Sequence, residues 1–277
     1  DGLVCQGWSW TLEAIKSLNR PVTVGAMYIT DDGATRLHIR IATVGRMTVP
    51  LYIGQTVANG VSIDWGDGST TQTLSGTGNI HTSHTYAEPG DYVISLMPQD
   101  GCTLSFGNGS PSYCVMGLTG NNGIVYCNML QDVSIGKNVI SISNYAFNDC
   151  YSLASITIPD GVTSIGNNAF YYCNSLASIT IPNSVTSISN SVFYYCYSLA
   201  SITIPNGVTS IGEYAFANCY GMRYYDFSAC TSIPALSNTG VFMNIPSDCQ
   251  MLIPSALYNK WKSATNWATY ASKMVSV

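Results

Sequence analysis

Apolar and polar positions in the second half of the chain repeat with a fixed period. Four consecutive 23-residue units between positions 133 and 225 carry phenylalanine and cysteine at equivalent places, which are Phe147, Phe170, Phe193 and Phe216, and Cys150, Cys173, Cys196 and Cys219. A fixed period of about 20 to 50 residues is typical of a solenoid, because one unit cannot bury its apolar face without its neighbours. The pattern therefore predicts a stack of equivalent turns.

Each unit predicts one strand, a corner and a short turn. In LASITIP, the apolar residues Leu176, Ile179 and Ile181 precede a proline and predict a strand that ends at Pro182. In NNAFYYC the apolar residues stand at near-helical spacing, which predicts a single helical or 3₁₀ turn. Stacked units would form a parallel sheet with internal ladders of phenylalanine and cysteine. Glycines at the corners are expected to need a positive φ, and these are Gly161, Gly166, Gly207 and Gly212.

The repeated pattern Leu-x-x-Ile-x-Ile-Pro-x-x-Val-x-x-Ile-x-x-x-Ala-Phe-x-x-Cys closely resembles the BspA-like leucine-rich repeats of bacterial surface proteins. The resemblance covers about residues 130–228. The first unit departs from it at Gly136, where later units have proline, and the last departs at Gly221 and Met222, as terminal units do. The resemblance implies a non-catalytic extracellular adhesion protein that binds a protein on a host or neighbouring cell. A carbohydrate-binding surface module and a purely structural spacer are the alternatives.

The period changes to two between about Val22 and Leu96. Strand-like runs divided by DDG, NG, GDG and EPG turn signals predict a small antiparallel β-sandwich. Within it, VSIDWGDGST followed by HTYAEPGDYVISL is similar to the signature of the polycystic-kidney-disease (PKD) repeat. That resemblance implies an immunoglobulin-like module of the kind common in bacterial extracellular proteins.

The fold class expected is therefore mainly β, an antiparallel β-sandwich followed by a leucine-rich-repeat solenoid with a parallel sheet and a helical C-terminal cap. The expected segments are an N-terminal arm or upstream module remnant at 1–20, the PKD-like sandwich at 21–105, a connector and N-terminal solenoid cap at 106–129, the repeats at 130–228, and a degenerate repeat with the C-terminal cap at 229–277. Because the chain begins at Asp1 without methionine, we expect a mature product or a piece of a longer protein.

Two segments at the ends carry helical patterns. In the arm, Leu12, Ile15 and Leu18 recur at a spacing of three and predict one or two helical turns. In the cap, Leu257 and Trp261 stand at a spacing of four, and the apolar pattern continues from Trp267 to Met274, which predicts an amphipathic terminal segment. We expect that segment to cover the last apolar rung of the solenoid.

Charge excludes some classes of partner. Charged residues make up 9% of the chain, against about 25% in an average soluble domain. The net charge is −5 with only 10 Lys and Arg residues, and no basic cluster occurs, which argues against a nucleic acid partner. No apolar run long enough to cross a bilayer exists, so no membrane insertion by this fragment is expected.

Candidate catalytic and metal-binding residues are few. A Cys/His nucleophile could combine Cys102, Cys114 or Cys127 with His81 or His84, but no strand-turn-helix context supports it. No Cys-x-x-Cys or His-x-x-x-His spacing occurs, so we expect no enzyme, no zinc site and no cofactor. His84 is expected to hydrogen-bond Asp64 or Asp67 and fix a turn. A sharper alternative makes three carboxylates weak calcium candidates, Asp64, Asp67 and Asp91.

The ten cysteines divide into two groups. The four that recur in the repeats are expected to be free, buried thiols, because each occupies one equivalent inward position. The pairing of the others stays open, and these are Cys5, Cys102, Cys114, Cys127, Cys230 and Cys249.

Tyrosines crowd the repeats around the predicted turn. Tyrosine offers a large contact area at small entropic cost, which suits binding to a protein or stacking on a sugar. The alternative is that these rings pack between the rungs or coat the solenoid. The candidate binding residues are Tyr151, Tyr171, Tyr172, Tyr194, Tyr195, Tyr197 and Tyr220, with Tyr224 and Tyr225 close by in sequence.

Overall fold

The protein is mainly β over the residues that the computed structural model describes, which are 3–8, 26–30, 32–42, 47–107, 114–119 and 125–277. The helical turns expected around Leu12, Ile15 and Leu18 lie outside these residues. Within the described residues, no helix has the length and apolar character needed to cross a bilayer.

The N-terminal part of the chain, as far as it is described up to Gly107, forms antiparallel sheets. Its strands are β1 (Leu3–Trp8), β2 (Ala26–Thr30), β3 (Thr35–Ile41), β4 (Thr48–Gln55), β5 (Val61–Asp64), β6 (Gln72–Thr73), β7 (Gly78–Thr85), β8 (Gly90–Pro98) and β9 (Leu104–Phe106). β1 lies in the segment expected to be an arm or an upstream module remnant, and it pairs with β2. β7, β4 and β9 form one sheet, and β3, β8, β5 and β6 lie side by side in another.

Alternation of buried and exposed side chains directs one face of each strand inward. In β3, Leu37, Ile39 and Ile41 are buried while Arg40 between them is exposed. Such a period of two matches the pleat of a strand, on which successive side chains point to opposite faces. Apolar residues of both sheets belong to one hydrophobic cluster. The antiparallel module predicted from the sequence is present in this form, and its resemblance to the PKD repeat stays a prediction.

A connector leads from this module to the solenoid. It contains the antiparallel pair β10 (Leu118–Thr119) and β11 (Val125–Tyr126). Val115 and Met116 of the connector are buried, and Val115 links the two parts of the protein through backbone hydrogen bonds. Its carbonyl accepts from the Tyr52 N–H of β4 at 2.9 Å, and its N–H donates to the Ala146 carbonyl of the first repeat at 2.7 Å.

Each turn of the solenoid contributes two short parallel strands, and about six turns are stacked. The strands are β12 (Leu130–Ser134), β13 (Ser141–Ile142), β14 (Ser155–Thr157), β15 (Ser164–Ile165), β16 (Ser178–Ile179), β17 (Ser187–Ile188), β18 (Ser201–Thr203), β19 (Ser210–Ile211), β20 (Tyr224–Asp226), β21 (Ala235–Leu236) and β22 (Gln250–Ile253). Ser155 pairs with Ser178 and Ser141 with Ser164, so the register follows the 23-residue period. The last turn is longer, since Tyr224 pairs with Gln250.

The phenylalanine ladder predicted from the repeat fills the interior. Adjacent rings stack almost in parallel, with centroids 5.3 Å apart for Phe147 and Phe170, 5.5 Å for Phe170 and Phe193, and 5.4 Å for Phe193 and Phe216. Phe242 adds a further ring 5.5 Å from Phe216. Each side chain is fully buried, and a fully buried aromatic ring contributes a large share of the apolar area removed from water.

The solenoid shares its first sheet with the N-terminal module. β12 pairs antiparallel with β3, with Val133 opposite Leu37, while its other edge pairs parallel with β14. The edge that a first solenoid turn would leave open is therefore occupied by a strand of the preceding module, which satisfies its backbone groups.

The segment of each repeat that was predicted to form a helical or 3₁₀ turn has a different backbone conformation. The expected helical turn is a run of successive tight turns in which two residues per unit adopt a positive φ. These residues are Tyr145, Asn168, Ser191 and Tyr214 at one position, and Asp149, Tyr172, Tyr195 and Asn218 at the other. Left-handed residues break a helix, and here they aim backbone N–H groups at the next turn. Thus the Tyr145 N–H donates to the Asn167 carbonyl at 2.9 Å, and the Asp149 N–H donates to the Tyr171 carbonyl at 2.8 Å.

The corner glycines also have a different role from the one expected. No glycine of residues 130–249, all of which the structure describes, has a positive φ. Gly166 and Gly212 are instead places of close approach, because a Cβ on Gly166 would lie 2.5 Å from the Asn144 nitrogen, and one on Gly212 would lie 2.5 Å from Asn190 Oδ1. Gly161 and Gly207 have nearest contacts at 3.4 and 3.3 Å, so the space there is larger.

The C-terminal cap is only partly helical. It consists of the helix α1 (Tyr258–Lys262), a 3₁₀ segment (Ala268–Lys273) and the strand β23 (Met274–Ser276), which pairs parallel with β22. Asn266 has a φ of 65° between the two helical pieces, and this left-handed residue ends the helical pattern. The buried rings of Trp261 and Trp267 cover the last rung.

Candidate interaction surface

The seven candidate tyrosines lie together on the side of the solenoid formed by the tight turns, which we call the turn face. Tyr171, Tyr172, Tyr194 and Tyr195 directly follow the buried phenylalanines of two adjacent units. The others follow the buried cysteines, and these are Tyr151, Tyr197 and Tyr220. Since the register between units is constant, equivalent tyrosines stand one above the other.

Equivalent rings of adjacent turns stack face to face. The centroids of Tyr171 and Tyr194 are 5.1 Å apart with 7° between the planes. Those of Tyr172 and Tyr195 are 4.5 Å apart at 13°. A third pair, Tyr197 and Tyr220, is 5.5 Å apart at 16°.

Edge-to-face contacts join these pairs into one network. The centroids of Tyr194 and Tyr195 are 4.4 Å apart at 85°, and those of Tyr195 and Tyr197 are 5.5 Å apart at 74°. Tyr151 contacts Tyr172 in the same way. Tyr214, which the sequence reasoning did not include, contacts Tyr194 at 6.1 Å. These eight residues form what we call the tyrosine network.

The tyrosine network is packed against itself and still reaches solvent. Most of its members are half-buried, while Tyr220 is 54% exposed and Tyr197 and Tyr214 are each 36% exposed. The two neighbouring tyrosines do not join it. Tyr225 is fully buried in the interior, and Tyr224 lies on the strand β20.

Burial keeps several phenols of the network protonated. Burial raises the pKa of Tyr172 to about 12 and raises the pKa of Tyr171 and Tyr194 as well. At one end, the Tyr151 hydroxyl donates to Asp149 Oδ1 at 3.0 Å, and burial raises the pKa of that carboxyl. The network therefore combines stacked aromatic rings with protonated phenol hydroxyls.

A second feature of the solenoid is a shallow cleft along the strands β17, β19 and β21, with a volume of about 340 Å³. Its lining includes Asn167, Ser187, Asn190 and Ser210, which supply amide and hydroxyl groups. The asparagines also bind the backbone of the next turn, since Asn167 Oδ1 accepts from the Asn190 N–H at 3.0 Å and Asn190 Oδ1 accepts from the Glu213 N–H at 2.8 Å. The sequence reasoning did not single out this cleft, although Asn144, Asn167 and Asn190 follow the 23-residue period.

Of the three histidines, which all lie in the N-terminal module, His84 is held by specific contacts. His84 Nε2 lies 2.7 Å from Asp67 Oδ2, and its ring stacks on Trp65 with centroids 5.0 Å apart. Hydrogen bonds from Ser69 and His84 lower the pKa of Asp67 to about 2. Of the two partners expected for His84, the structure has Asp67. The Nε2 atom of His84 is therefore engaged by Asp67.

The calcium candidates do not converge on one site. Asp64 Oδ1 accepts from the Gly66 N–H at 2.9 Å, Asp67 pairs with His84, and Asp91 Oδ1 accepts from Arg40 Nε at 2.7 Å. Among the described residues, no group of three or more His, Cys, Asp or Glu side chains could hold a metal ion.

The repeat cysteines are free and buried, as the sequence predicted. The thiols of Cys173, Cys196 and Cys219 donate to the carbonyls of Phe147, Phe170 and Phe193 in the preceding turn, with sulfur–oxygen distances of 3.2, 3.2 and 3.1 Å. The thiol ladder thus links each turn to its neighbour. The other cysteines whose side chains the structure describes are also free and buried, and these are Cys102, Cys114, Cys127, Cys230 and Cys249.

Comparison with known families bears on the solenoid. The family model described as "BspA type Leucine rich repeat region" matches six copies over residues 120–249. The resemblance of the repeats to this family is therefore confirmed, and the matched region extends beyond the four units that the sequence pattern identified. Cys127, which precedes Cys150 by one repeat length, was a signal for the additional unit on the N-terminal side. No curated protein sequence matches the chain significantly.

Solved structures similar to this chain include several repeat proteins. A leucine-rich cell-surface protein from Faecalibacterium prausnitzii is 29% identical with a TM-score of 0.44, over 55% of this chain and 40% of that one. A leucine-rich repeat protein from Bacteroides ovatus is 26% identical with a TM-score of 0.37, over 49% of this chain and 38% of that one. A leucine-rich repeat protein from T. pallidum is 24% identical with a TM-score of 0.36, over 58% of this chain and 87% of that one. The chain thus spans less than half the length of the first two.

Proposed function

We propose that the chain is a non-catalytic recognition module of a bacterial cell-surface or secreted protein, and that its tyrosine network binds a protein partner on a host or neighbouring cell. The observation that carries the proposal is the stacked, half-exposed arrangement of eight tyrosines on the turn face. The match of the repeats to the BspA type supports the bacterial surface location.

The geometry of the network favours a protein over a sugar. A sugar that stacks on tyrosine needs a free ring face, and each ring of Tyr171, Tyr172, Tyr194 and Tyr195 has a face against its stacked neighbour. The ring edges and phenol hydroxyls suit hydrogen bonds and apolar contacts with a polypeptide. Packing also holds the rings in place before binding, so little side-chain entropy is lost when a partner docks.

A glycan is the second candidate partner, and the shallow cleft favours it. Its serine hydroxyls and asparagine amides are the groups that commonly bind sugar hydroxyls, and its volume of about 340 Å³ lies at the lower end of ligand pockets. On this alternative, the tyrosine network would be dispensable for binding.

The experiment uses a variant that the repeat itself suggests. The fourth unit has Ala217 and Asn218 where the second and third units have tyrosine pairs, and Asn218 keeps the positive φ of that position. Replacing Tyr171 and Tyr194 with Ala, and Tyr172 and Tyr195 with Asn, should therefore preserve the turns. Tyr224→Ser on the strand β20 removes a 40% exposed tyrosine from another face and serves as the matched control.

Wild type and both variants are applied to arrays of extracellular-matrix proteins and glycans. Binding to a protein that the fourfold variant loses by tenfold or more, and that Tyr224→Ser retains, would support the proposal. A protein hit that the fourfold variant retains would contradict the assignment of the face. Binding to glycans alone would replace the protein partner with a sugar, and no hit on either array would favour a spacer.

A further inference from the structure

Tyr172 and Tyr195 are the nearest to each other of the three parallel pairs in the tyrosine network. Their ring centroids are 4.5 Å apart with 13° between the planes, and the other two parallel pairs have separations of 5.1 and 5.5 Å. Both residues occupy the same position of adjacent turns, with φ values of 59° and 62°. Because equivalent residues of stacked repeats share one backbone geometry, the two phenol groups lie side by side.

This pair is within reach of an oxidant in solution. Both rings are half-buried, so part of each is open to solvent. Tyr197, which is 36% exposed, contacts Tyr195 with the ring centroids 5.5 Å apart. Tyr220, which is 54% exposed, stacks on Tyr197 in turn. Since an electron passes readily between aromatic rings in contact, oxidation of an exposed member of the network also reaches the pair.

Ring orientation separates this pair from other close tyrosines. The rings of Tyr194 and Tyr195 are 4.4 Å apart, but they are nearly perpendicular at 85°. The rings of Tyr86 and Tyr92 in the N-terminal module are 4.1 Å apart, but their planes are tilted by 35° and their hydroxyls donate to two different backbone carbonyls. In neither case do matching ring carbons face each other as they do in a parallel stack.

We propose that the tyrosine network is a site of oxidative cross-linking, at which a one-electron oxidant joins Tyr172 to Tyr195 as a dityrosine. The two residues are 23 positions apart in the chain and belong to adjacent turns. The product is a covalent bridge between two turns that are otherwise held together by packing and hydrogen bonds.

The reaction removes two hydrogen atoms from the pair. Each ring gives one electron to a molecule of oxidant and its phenol proton to water, which leaves two tyrosyl radicals. The radicals combine at the Cε carbons beside the hydroxyls, where much of the unpaired spin lies, and a carbon–carbon bond forms. Each bonded Cε then loses its hydrogen as a proton while the phenol oxygen regains one. Two oxidant molecules are thus reduced by one electron each, and two protons pass to water.

The test oxidises the full 277-residue chain with photogenerated tris(bipyridine)ruthenium(III) in dilute solution. The monomer is then separated from cross-linked oligomers under denaturing conditions, and its dityrosine fluorescence is measured. Leu176 and Phe193 lie between the two tyrosines, so chymotrypsin separates them into different peptides unless a bridge joins them. Mass spectrometry of the digest identifies the bridged residues.

The variants follow the fourth unit of the repeat, where Asn218 keeps the positive φ of this position. Tyr172→Asn and Tyr195→Asn should therefore preserve the turn while each removes one ring of the pair. Tyr171→Ala, which disrupts the neighbouring stack, and Tyr224→Ser, on the strand β20, are the controls. A sample of the wild type oxidised in urea tests whether the folded arrangement is needed.

The expected result is a fluorescent monomer whose digest contains a peptide pair joined through Tyr172 and Tyr195, two hydrogen atoms lighter than the free peptides. The bridged chain should melt on the order of 5 °C above the unoxidised one, since a cross-link restricts the unfolded chain. Either asparagine variant should lose most of the monomer fluorescence, as should the sample in urea, while both controls should keep it.

A wild-type monomer without dityrosine would overturn the proposal. Bridged peptides that join other tyrosines in place of Tyr172 and Tyr195 would do the same, as would fluorescence that survives in both asparagine variants.

Discussion

The ring of Phe106 in β9 lies 5.6 Å from the ring of Phe147 in the first repeat, with 41° between their planes. The aromatic ladder of the solenoid therefore begins in the N-terminal module. It continues through the repeats to Phe242 and ends against Trp267 of the cap, 5.7 Å away. Together with the pairing of β3 and β12, this contact gives the two parts of the protein one continuous hydrophobic core.

Replacing Phe106 with Ala should weaken both parts of the protein. A buried Phe-to-Ala change costs about 3 to 5 kcal/mol, and the cavity would open between β4 and the first repeat. Hydrogen–deuterium exchange should speed up in β4 and also around residues 142–150. Phe242→Ala at the opposite end of the ladder is the control and should affect the cap first. If the faster exchange in Phe106→Ala stopped at β9, the shared core would not be a single cooperative unit.

Two glycines of one unit should respond differently to alanine. At Gly166 a Cβ would collide with the Asn144 backbone nitrogen at 2.5 Å, so Gly166→Ala should lower the free energy of unfolding by about 1 to 3 kcal/mol. At Gly161 the nearest atom is the Lys137 carbonyl oxygen at 3.4 Å, and Gly161→Ala should change stability by less than about 1 kcal/mol. Urea unfolding of the two variants makes the comparison. Equal losses at both positions would show that close approach is not the reason for glycine at 166.

The pair of Asp67 and His84 should make the N-terminal module sensitive to acid. The pKa of Asp67 is lowered to about 2 in the folded protein, whereas it is about 3.9 in an unfolded chain. Its contribution to stability is therefore fully present above about pH 4 and is lost as the pH falls towards 2. Asp67→Asn should remove this part of the pH dependence, while Asp91→Asn, which breaks the exposed pair with Arg40, serves as the control.

The measurement is the melting temperature of each variant between pH 2 and pH 6, with unfolding monitored by circular dichroism. A wild-type curve and an Asp67→Asn curve that run parallel through this range would contradict the assigned role of Asp67. At neutral pH we expect the loss in Asp67→Asn to be about 1 kcal/mol or less, since the pair lies at the surface.

Some features of the repeats followed from residue spacing alone. The positions of Phe170 and Cys173, each recurring once per unit, were enough to predict a stacked solenoid with internal ladders, and both ladders are present. The reason is physical, because identical units that bury the same face can do so only against each other. The same spacing placed Tyr171 and Tyr172 among the tyrosines that crowd the predicted turn.

The spacing of apolar residues gave a wrong prediction where the backbone conformation depends on contacts with the next turn of the solenoid. Ala169, Phe170 and Cys173 have near-helical spacing, yet Asn168 and Tyr172 are left-handed, because the N–H of each donates to a carbonyl of the adjacent turn. Such bonds join residues nearly one repeat apart and leave no mark in a short window of sequence. The corner glycines were misjudged for the same reason, since the atoms that exclude a Cβ at Gly166 belong to the preceding unit.

The sequence by itself determined the repeat, its inward phenylalanines and thiols, the crowding of tyrosine on one side and the alternation that makes the first half antiparallel. These depend on periodicity, which the chain carries residue by residue. Only the tertiary structure decided that Tyr171 stacks on Tyr194, that Tyr225 turns inward and that β3 closes the open edge of the solenoid. Each of these joins segments distant in sequence, and their contact depends on how the turns are stacked and capped.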